Sequence, residues 1–241
     1  MTRYIGVIGY HNVGKTSLIE GMVSVYKSQG LNVAVVKHTK YRELDVEGKD
    51  TWRLSRISDL TVGVAENQIL IVEKGRFRLE DLKSILKPYD IVVVEGFKQN
   101  HSFPKIVVVE SEEDYVKLKT GLEILAVSQR KLDLDIPVYH PRNDLETICK
   151  IAHEKAFKLP NLNCRECGYT CSEMAALILN GEKSVQDCKV LSRQSVKIMV
   201  DDSQIDVNRF VADLIGTTVK AMISRLRGYR PGAKITIEVQ V

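Results

Sequence analysis

No apolar stretch in this chain approaches the ~20 residues needed to cross a bilayer, which excludes a helical membrane protein. A secretory leader is missing as well: Met1 runs directly into a β-like segment without a charged n-region, an apolar h-region or a cleavage site, so a cytoplasmic protein is expected. Neither sign of charge is in large excess. Lys+Arg 35 against Asp+Glu 31 leaves a net +4, too small and too scattered to argue for nucleic acid, although a mildly basic surface suits phosphate-rich ligands. Internal repeats and low-complexity segments are absent. Cysteine is scarce, five in 241 residues, yet four of the five crowd between Cys164 and Cys188. In a reducing compartment such a cluster reads as metal ligands before it reads as disulfides. What remains, 44% hydrophobic and 27% charged, suits a globular protein of one large domain plus something smaller.

The strongest positive signal is Gly9-Tyr10-His11-Asn12-Val13-Gly14-Lys15-Thr16, which fits G-x-x-x-x-G-K-[ST] and directly follows the β-like run Tyr4–Ile8. Such a loop wraps a polyphosphate with backbone N–H groups, so glycine is needed where the chain approaches closely or takes positive φ. The candidate phosphate-contacting residues are Gly9, His11, Asn12, Val13, Gly14, Lys15, Thr16 and Ser17. Lys15 supplies a point charge to the β- and γ-phosphates and Thr16 a hydroxyl for Mg²⁺, while the apolar-periodic segment from Ser17 to Tyr26 offers a helix N-terminus that favours anions. The chain is therefore expected to bind a nucleoside triphosphate.

Short β-branched runs alternate with helical stretches over residues 1–158. Strands are expected at Tyr4–Ile8, Val33–Lys37, Val62–Ala65, Ile69–Glu73, Ile91–Glu95, Lys105–Val109, Ile124–Val127 and Val138–Tyr139. Helices are expected at Lys15–Gln29, Gly48–Arg56, Leu79–Leu86, Glu112–Lys117 and Leu145–Phe157. This alternation predicts an α/β fold, a mainly parallel sheet covered by helices on both faces, with ligands at the carboxyl ends of its strands. Leu159-Pro160-Asn161-Leu162-Asn163 breaks the pattern and opens a four-cysteine module over residues 159–193. Residues 194–241 read as a small C-terminal α/β unit: a strand over Ser195–Val200, an amphipathic helix over Val207–Leu226, a Gly/Pro turn, and an alternating strand over Lys234–Val241. About 48 residues make a marginal independent fold, so this unit is expected to dock on another domain or a second subunit.

Two further constellations face the phosphate loop. Val36-Lys37-His38-Thr39 ends the second strand, and Asp45 lies shortly before Gly48-Lys49-Asp50-Thr51-Trp52, a region that in a phosphate-loop protein faces the γ-phosphate. Lys37 and His38 are thus candidate nucleotide contacts, and Asp45 a candidate metal or water-positioning residue; the bland reading is a polar strand end. Asp90–Lys98 is a continuous apolar strand ending in Glu95-Gly96, like a Walker B element, so Glu95 is the candidate to hold a Mg²⁺-bound water or orient the attacking one. The cysteines Cys164-x₂-Cys167-x₃-Cys171-x₁₆-Cys188 are arranged as for a [4Fe–4S] cluster, with structural zinc as the alternative. Cys149 reads as a small buried hydrophobe.

With these residues together, the first 158 positions resemble the MobB family of molybdopterin-guanine dinucleotide biosynthesis adaptor proteins. The resemblance rests on Gly9–Thr16, Val36-Lys37-His38-Thr39, Asp45 with Gly48-Lys49-Asp50-Thr51-Trp52, and Val94-Glu95-Gly96-Phe97-Lys98 followed by Pro104-Lys105-Ile106. It implies GTP binding with weak hydrolysis, a homodimer, and partnership with the guanylyltransferase that attaches GMP to molybdopterin. No N-K-x-D guanine-reading motif is evident, so the choice of GTP over ATP is implied by the resemblance alone. The cysteine segment from Leu159 to Cys188 resembles the four-cysteine [4Fe–4S] module of corrinoid iron–sulfur and electron-transport proteins, with one residue fewer between Cys167 and Cys171. The expected function is a GTP-binding adaptor for the molybdenum or tungsten cofactor. Two other readings compete: a nucleotide-dependent metal-centre maturation factor, and a redox-regulated binding module without meaningful turnover.

Overall fold

A computed structural model describes residues 2–39, 41, 43–192, 196, 198–201, 203–230 and 235–237. The chain begins with β1 (Arg3–Gly9), α1 (Lys15–Ser28) and β2 (Val33–Lys37), followed by α2 (Asp50–Ile57) and a hairpin of β3 (Leu60–Val64) and β4 (Ile69–Glu73). A 3₁₀ turn over Leu79–Leu82 runs into α3 (Lys83–Leu86), then come β5 (Ile91–Glu95), β6 (Lys105–Val108), α4 (Glu112–Leu118), β7 (Glu123–Val127), β8 (Val138–Tyr139) and α5 (Leu145–Lys155). Six strands form one sheet in the order β2-β5-β1-β6-β7-β8, and all five pairings are parallel.

A parallel sheet needs cover on both faces, and the strands are apolar throughout for that reason. Ile5, Val7, Ile91 and Val93 pack with Met22 and Tyr26 of α1 and Ile148 and Ala152 of α5. The alternate residues Tyr4, Val92 and Val94 pack with Leu79, Leu86 and Phe103 on the opposite face, and Ile8 and Val107 with Tyr115 and Leu118 of α4. One departure from expectation concerns the β-branched runs between α2 and α3. β3 and β4 do not enter the sheet; they pair only with each other, antiparallel, from Leu60↔Glu73 to Val64↔Ile69.

The cysteine segment continues through α6 (Cys171–Leu179) and α7 (Lys189–Ser192), and its small core joins Met174, Ala175, Cys188 and Val190 to Leu122, Phe157 and Leu159. Beyond it, β9 (Ile198–Val200) pairs antiparallel with β10 (Ser203–Ile205), and α8 (Arg209–Ile223) follows. β10 had no counterpart among the expected strands. The expected strand Lys234–Val241 lies outside the described residues except for 235–237, which carry no strand. No described helix is long and apolar enough to cross a membrane.

Candidate functional site

The register places the site. β1, β2 and β5 run parallel, with Val7 opposite Glu95 and Lys37 opposite Glu95, so the last residues of β2 and β5 reach the same sheet edge from which the loop after β1 departs. The loop passes through Asn12 (φ 61) and Gly14 (φ 88), left-handed positions that asparagine tolerates and glycine takes without strain. Gly9 is required for another reason: a Cβ there would lie 2.6 Å from the Val108 carbonyl oxygen and 2.9 Å from Val13 Cγ2. α1 begins at Lys15, so its free N–H groups face the loop's concave side.

Three of the expected site side chains converge. Lys37 Nζ stands 3.2 Å from Glu95 Oε2, and Thr16 Oγ1 donates to the same oxygen at 3.4 Å. Glu95 is only 8% exposed, and β5 carries it there by an uninterrupted buried run. Lys15 Nζ folds back to donate to the Tyr10 carbonyl oxygen. Burial lowers the Lys15 pKa, and Lys37 adds to that while Glu95 opposes it; a polyanion in the loop would restore the charged form. The hydroxyl of Thr16 and the carboxylate of Glu95 are hard oxygen donors meeting at one place, a donor set that suits Mg²⁺.

Flanking residues shape this edge. The chain turns sharply after Glu95, with both Gly96 (φ 88) and Phe97 (φ 48) at positive φ. His38 packs against Phe97 with ring centroids 4.9 Å apart and ring planes tilted by 52°, which places His38 beside the turn. Lys98 Nζ lies 4.8 Å from the Tyr10 ring, a link between the two loops with no warning in the pattern. His11, Asn12 and Ser17 are exposed along the loop and Val13 is half-buried. Asp45 accepts from the Val46 N–H at 2.7 Å through Oδ1, while its Oδ2 is buried without a hydrogen-bond partner.

The β5–β6 loop is tied to the cysteine segment by a polar hub invisible in the sequence. Lys158 Nζ donates to Glu80 Oε1 (2.9 Å), Ser102 Oγ (2.7 Å) and the Leu159 carbonyl (2.9 Å). Asn100 and Asn161 donate to the same Glu80 oxygen at 3.0 and 3.1 Å, and the Leu159 N–H donates to the Ser102 carbonyl at 2.8 Å. Burial would raise the Glu80 pKa, but the Lys158 charge and the hydrogen bonds from Lys158 and Asn100 outweigh it and hold the carboxyl low. Nearby, the fully buried Lys105 donates to the Lys98 carbonyl at 2.7 Å, and burial lowers its pKa to about 8.

Cys164, Cys167, Cys171 and Cys188 line a single cavity walled by Leu159, Pro160, Met174 and Val190. All four are free thiols. The backbone winds around them through left-handed Asn161, Asn163, Arg165 and Gly168, and the Cys171 N–H donates to Asn163 Oδ1 at 2.9 Å. Burial pushes the Cys188 thiol up. Among the described residues no group of three or more His, Cys, Asp or Glu is placed to hold a metal ion as it stands. The donor set of four thiols on one apolar-walled cavity nevertheless suits iron–sulfur or zinc chemistry. Cys149 is apart from them, fully buried beneath α1, where the Tyr26 hydroxyl donates to its carbonyl.

An all-parallel sheet with a G-x-x-x-x-G-K-T loop between β1 and α1 defines the class: a phosphate-loop α/β protein. Within that class, the model of the family described as "Molybdopterin guanine dinucleotide synthesis protein B" matches residues 4–130, and the chain belongs to this family, MobB. A second model, described as "Putative Fe-S cluster", matches residues 159–190. A "Putative molybdopterin-guanine dinucleotide biosynthesis adapter protein" of Methanocaldococcus jannaschii is 34% identical over 246 residues, spanning 99% of this chain and 98% of the relative. The molybdopterin-guanine dinucleotide biosynthesis adapter protein of Haemophilus influenzae is 30% identical over 114 residues, covering 45% of this chain and 64% of its own. The crystal structure of a MobB homolog from Bacillus stearothermophilus superimposes with a TM-score of 0.50 at 28% identity, over 63% of this chain and 96% of that one.

Proposed function

We propose that the chain is a GTP-binding adaptor with weak GTPase activity that assists formation or delivery of the guanine-dinucleotide molybdenum or tungsten cofactor. Molybdopterin guanylyltransferase is its enzyme partner, molybdopterin the molecule both serve, and a homodimer the working form. The observation that carries this reading is the family likeness over nearly the whole chain to a relative named as a molybdopterin-guanine dinucleotide biosynthesis adapter. The meeting of Thr16, Lys37 and Glu95 beside the Gly9–Thr16 loop supports the nucleotide part.

Each residue has a role in this reading. The loop N–H groups and the α1 N-terminus bind the phosphates, with Lys15 swinging from the Tyr10 carbonyl to the β- and γ-phosphates. Thr16 and Glu95 would hold Mg²⁺, which neutralises charge on the phosphates when bound. Glu95 also orients a water, while Lys37 pairs with its carboxylate. Asp45, with one buried unpartnered oxygen, is a further ligand or water-positioning residue. Residues 1–158, 159–193 and 194–241 act as nucleotide domain, iron–sulfur module and docking unit. Cys164, Cys167, Cys171 and Cys188 would hold a [4Fe–4S] cluster, the thiols closing in on their shared cavity.

The test is the rate at which purified guanylyltransferase converts molybdopterin to its guanine dinucleotide, measured anaerobically with and without this protein. A GTP-dependent increase, lost in Lys15→Ala, is expected. An unchanged rate would move the assignment to nucleotide-dependent metal-centre maturation.

A further inference from the structure

The nucleotide reading leaves the nucleoside half of the ligand without a seat. On the β2–β5 side of the loop the described side chains are engaged with one another: Glu95 with Lys37 and Thr16, His38 packed against Phe97, and Lys98 over Tyr10. On the other side lies a cavity of about 480 Å³ whose lining begins at Gly14 and Ser17 and continues to the carboxyl ends of β6 and β7 and the turn after β8. That is the size range of small-ligand pockets, and it is contiguous with the phosphate loop.

Its walls and rim differ in character. Pro141 and Leu145 present apolar surface on which a planar ring can lie, while Glu110, Arg130 and Arg142 stand at the exposed rim. A guanine offers O6 and N7 as acceptors and N1–H and N2–H₂ as donors; arginine matches the first pair and a carboxylate the second. Adenine keeps the N7 acceptor but presents a donor at N6 and an acceptor at N1, the reverse of guanine at those two positions, and it lacks the N2 amino group.

We propose that this cavity takes the guanine base, Glu110 accepting from N1–H and N2–H₂ and Arg130 and Arg142 donating to O6 and N7, so that guanine is selected without an N-K-x-D motif. The assignment rests on the phosphate-loop reading of Gly9–Thr16. Solvent reaches all three rim side chains, so each contributes discrimination at the lower end of what a bidentate pair gives, roughly tenfold or less.

The experiment is competition for the full-length protein by GTP, inosine triphosphate, ATP and inorganic tripolyphosphate, in wild type and in Glu110→Gln, Arg130→Met, Arg142→Met and Lys15→Ala. Wild type is expected to rank GTP above inosine triphosphate, which lacks only the N2 amino group, and both above ATP. Glu110→Gln should bring GTP down towards inosine triphosphate, and the arginine variants should lower both relative to ATP, with tripolyphosphate binding unchanged in all three. Equal GTP and ATP affinity in wild type, or a GTP/ATP ratio unmoved by every rim variant, would overturn the proposal. Tripolyphosphate binding indifferent to Lys15→Ala would instead remove the phosphate-loop reading beneath it.

Discussion

Replacing Glu80 by leucine should destabilise the protein more than its place on a short polar turn suggests. The Lys158 and Glu80 side chains are only 13% and 23% exposed, so the substitution strands a lysine charge with two neutral acceptors, Ser102 Oγ and the Leu159 carbonyl. Asn100 and Asn161 lose the acceptor they share. Breaking a buried pair by removing one partner costs ~3–5 kcal/mol, and the residual exposure of Glu80 places this case near the lower figure, about 3 kcal/mol. For a chain of this length that corresponds to a fall in Tm of roughly 6–12 °C. Adding Lys158→Met should recover at least ~1 kcal/mol, because the second charge no longer needs a partner. Equilibrium urea unfolding of the two single variants and the double variant measures all of this. A loss below about 1 kcal/mol in Glu80→Leu, or strict additivity in the double variant, would refute the reasoning. Acid is an independent check: the folded-state pKa of Glu80 is depressed, so its stabilisation is present above the ordinary carboxylate range and is lost as pH falls through the folded value.

Gly9→Ala should weaken GTP binding at least tenfold with the circular dichroism spectrum preserved, because its Cβ would meet the Val108 carbonyl at 2.6 Å and displace the loop; wild-type affinity would show that the loop tolerates the shift. Lys105 is buried with its pKa lowered to about 8, so the unfolded chain binds more protons from there up to the ordinary lysine value of ~10.4. Stability should therefore rise with pH across that window in wild type, and the rise should vanish in Lys105→Met. Parallel pH profiles for the two proteins would show that Lys105 is not the source. Anaerobic reconstitution with iron and sulfide should give visible absorption that Cys188→Ser abolishes and Cys149→Ser retains, since Cys149 sits under α1 with its thiol pushed up by burial to about 11. Uptake of zinc with no iron chromophore would select the alternative metal.

Most of the sheet was legible because its strands announce themselves locally. β5 is a run of apolar residues ending in Glu95, and Gly9–Thr16 carries its own spacing, so strand, loop and carboxylate could be read without tertiary information. The hairpin of β3 and β4 looks in sequence like part of the alternation, because β-branched runs are alike in both settings. The missed signal was the four-residue connection Ala65–Gln68, too short for a parallel crossover and right for a hairpin. The Glu80 hub had no signal at all. Its partners Asn100, Lys158 and Asn161 are 20, 78 and 81 residues away, and a glutamate in Leu-Glu-Asp-Leu looks like any solvated turn residue. The pairing of Lys37 with Glu95 falls between these cases: each was a candidate alone, and only the β2–β5 register put them opposite one another.

The most direct test of the account is the equilibrium affinity for GTP as a function of Mg²⁺, measured for wild type, Lys15→Ala and Glu95→Gln. Tight binding that strengthens with Mg²⁺, falls sharply in Lys15→Ala at every Mg²⁺ concentration and loses its Mg²⁺ dependence in Glu95→Gln is the predicted result. Affinity that is the same in all three proteins would contradict the assignment of Lys15, Thr16 and Glu95 to a nucleotide site.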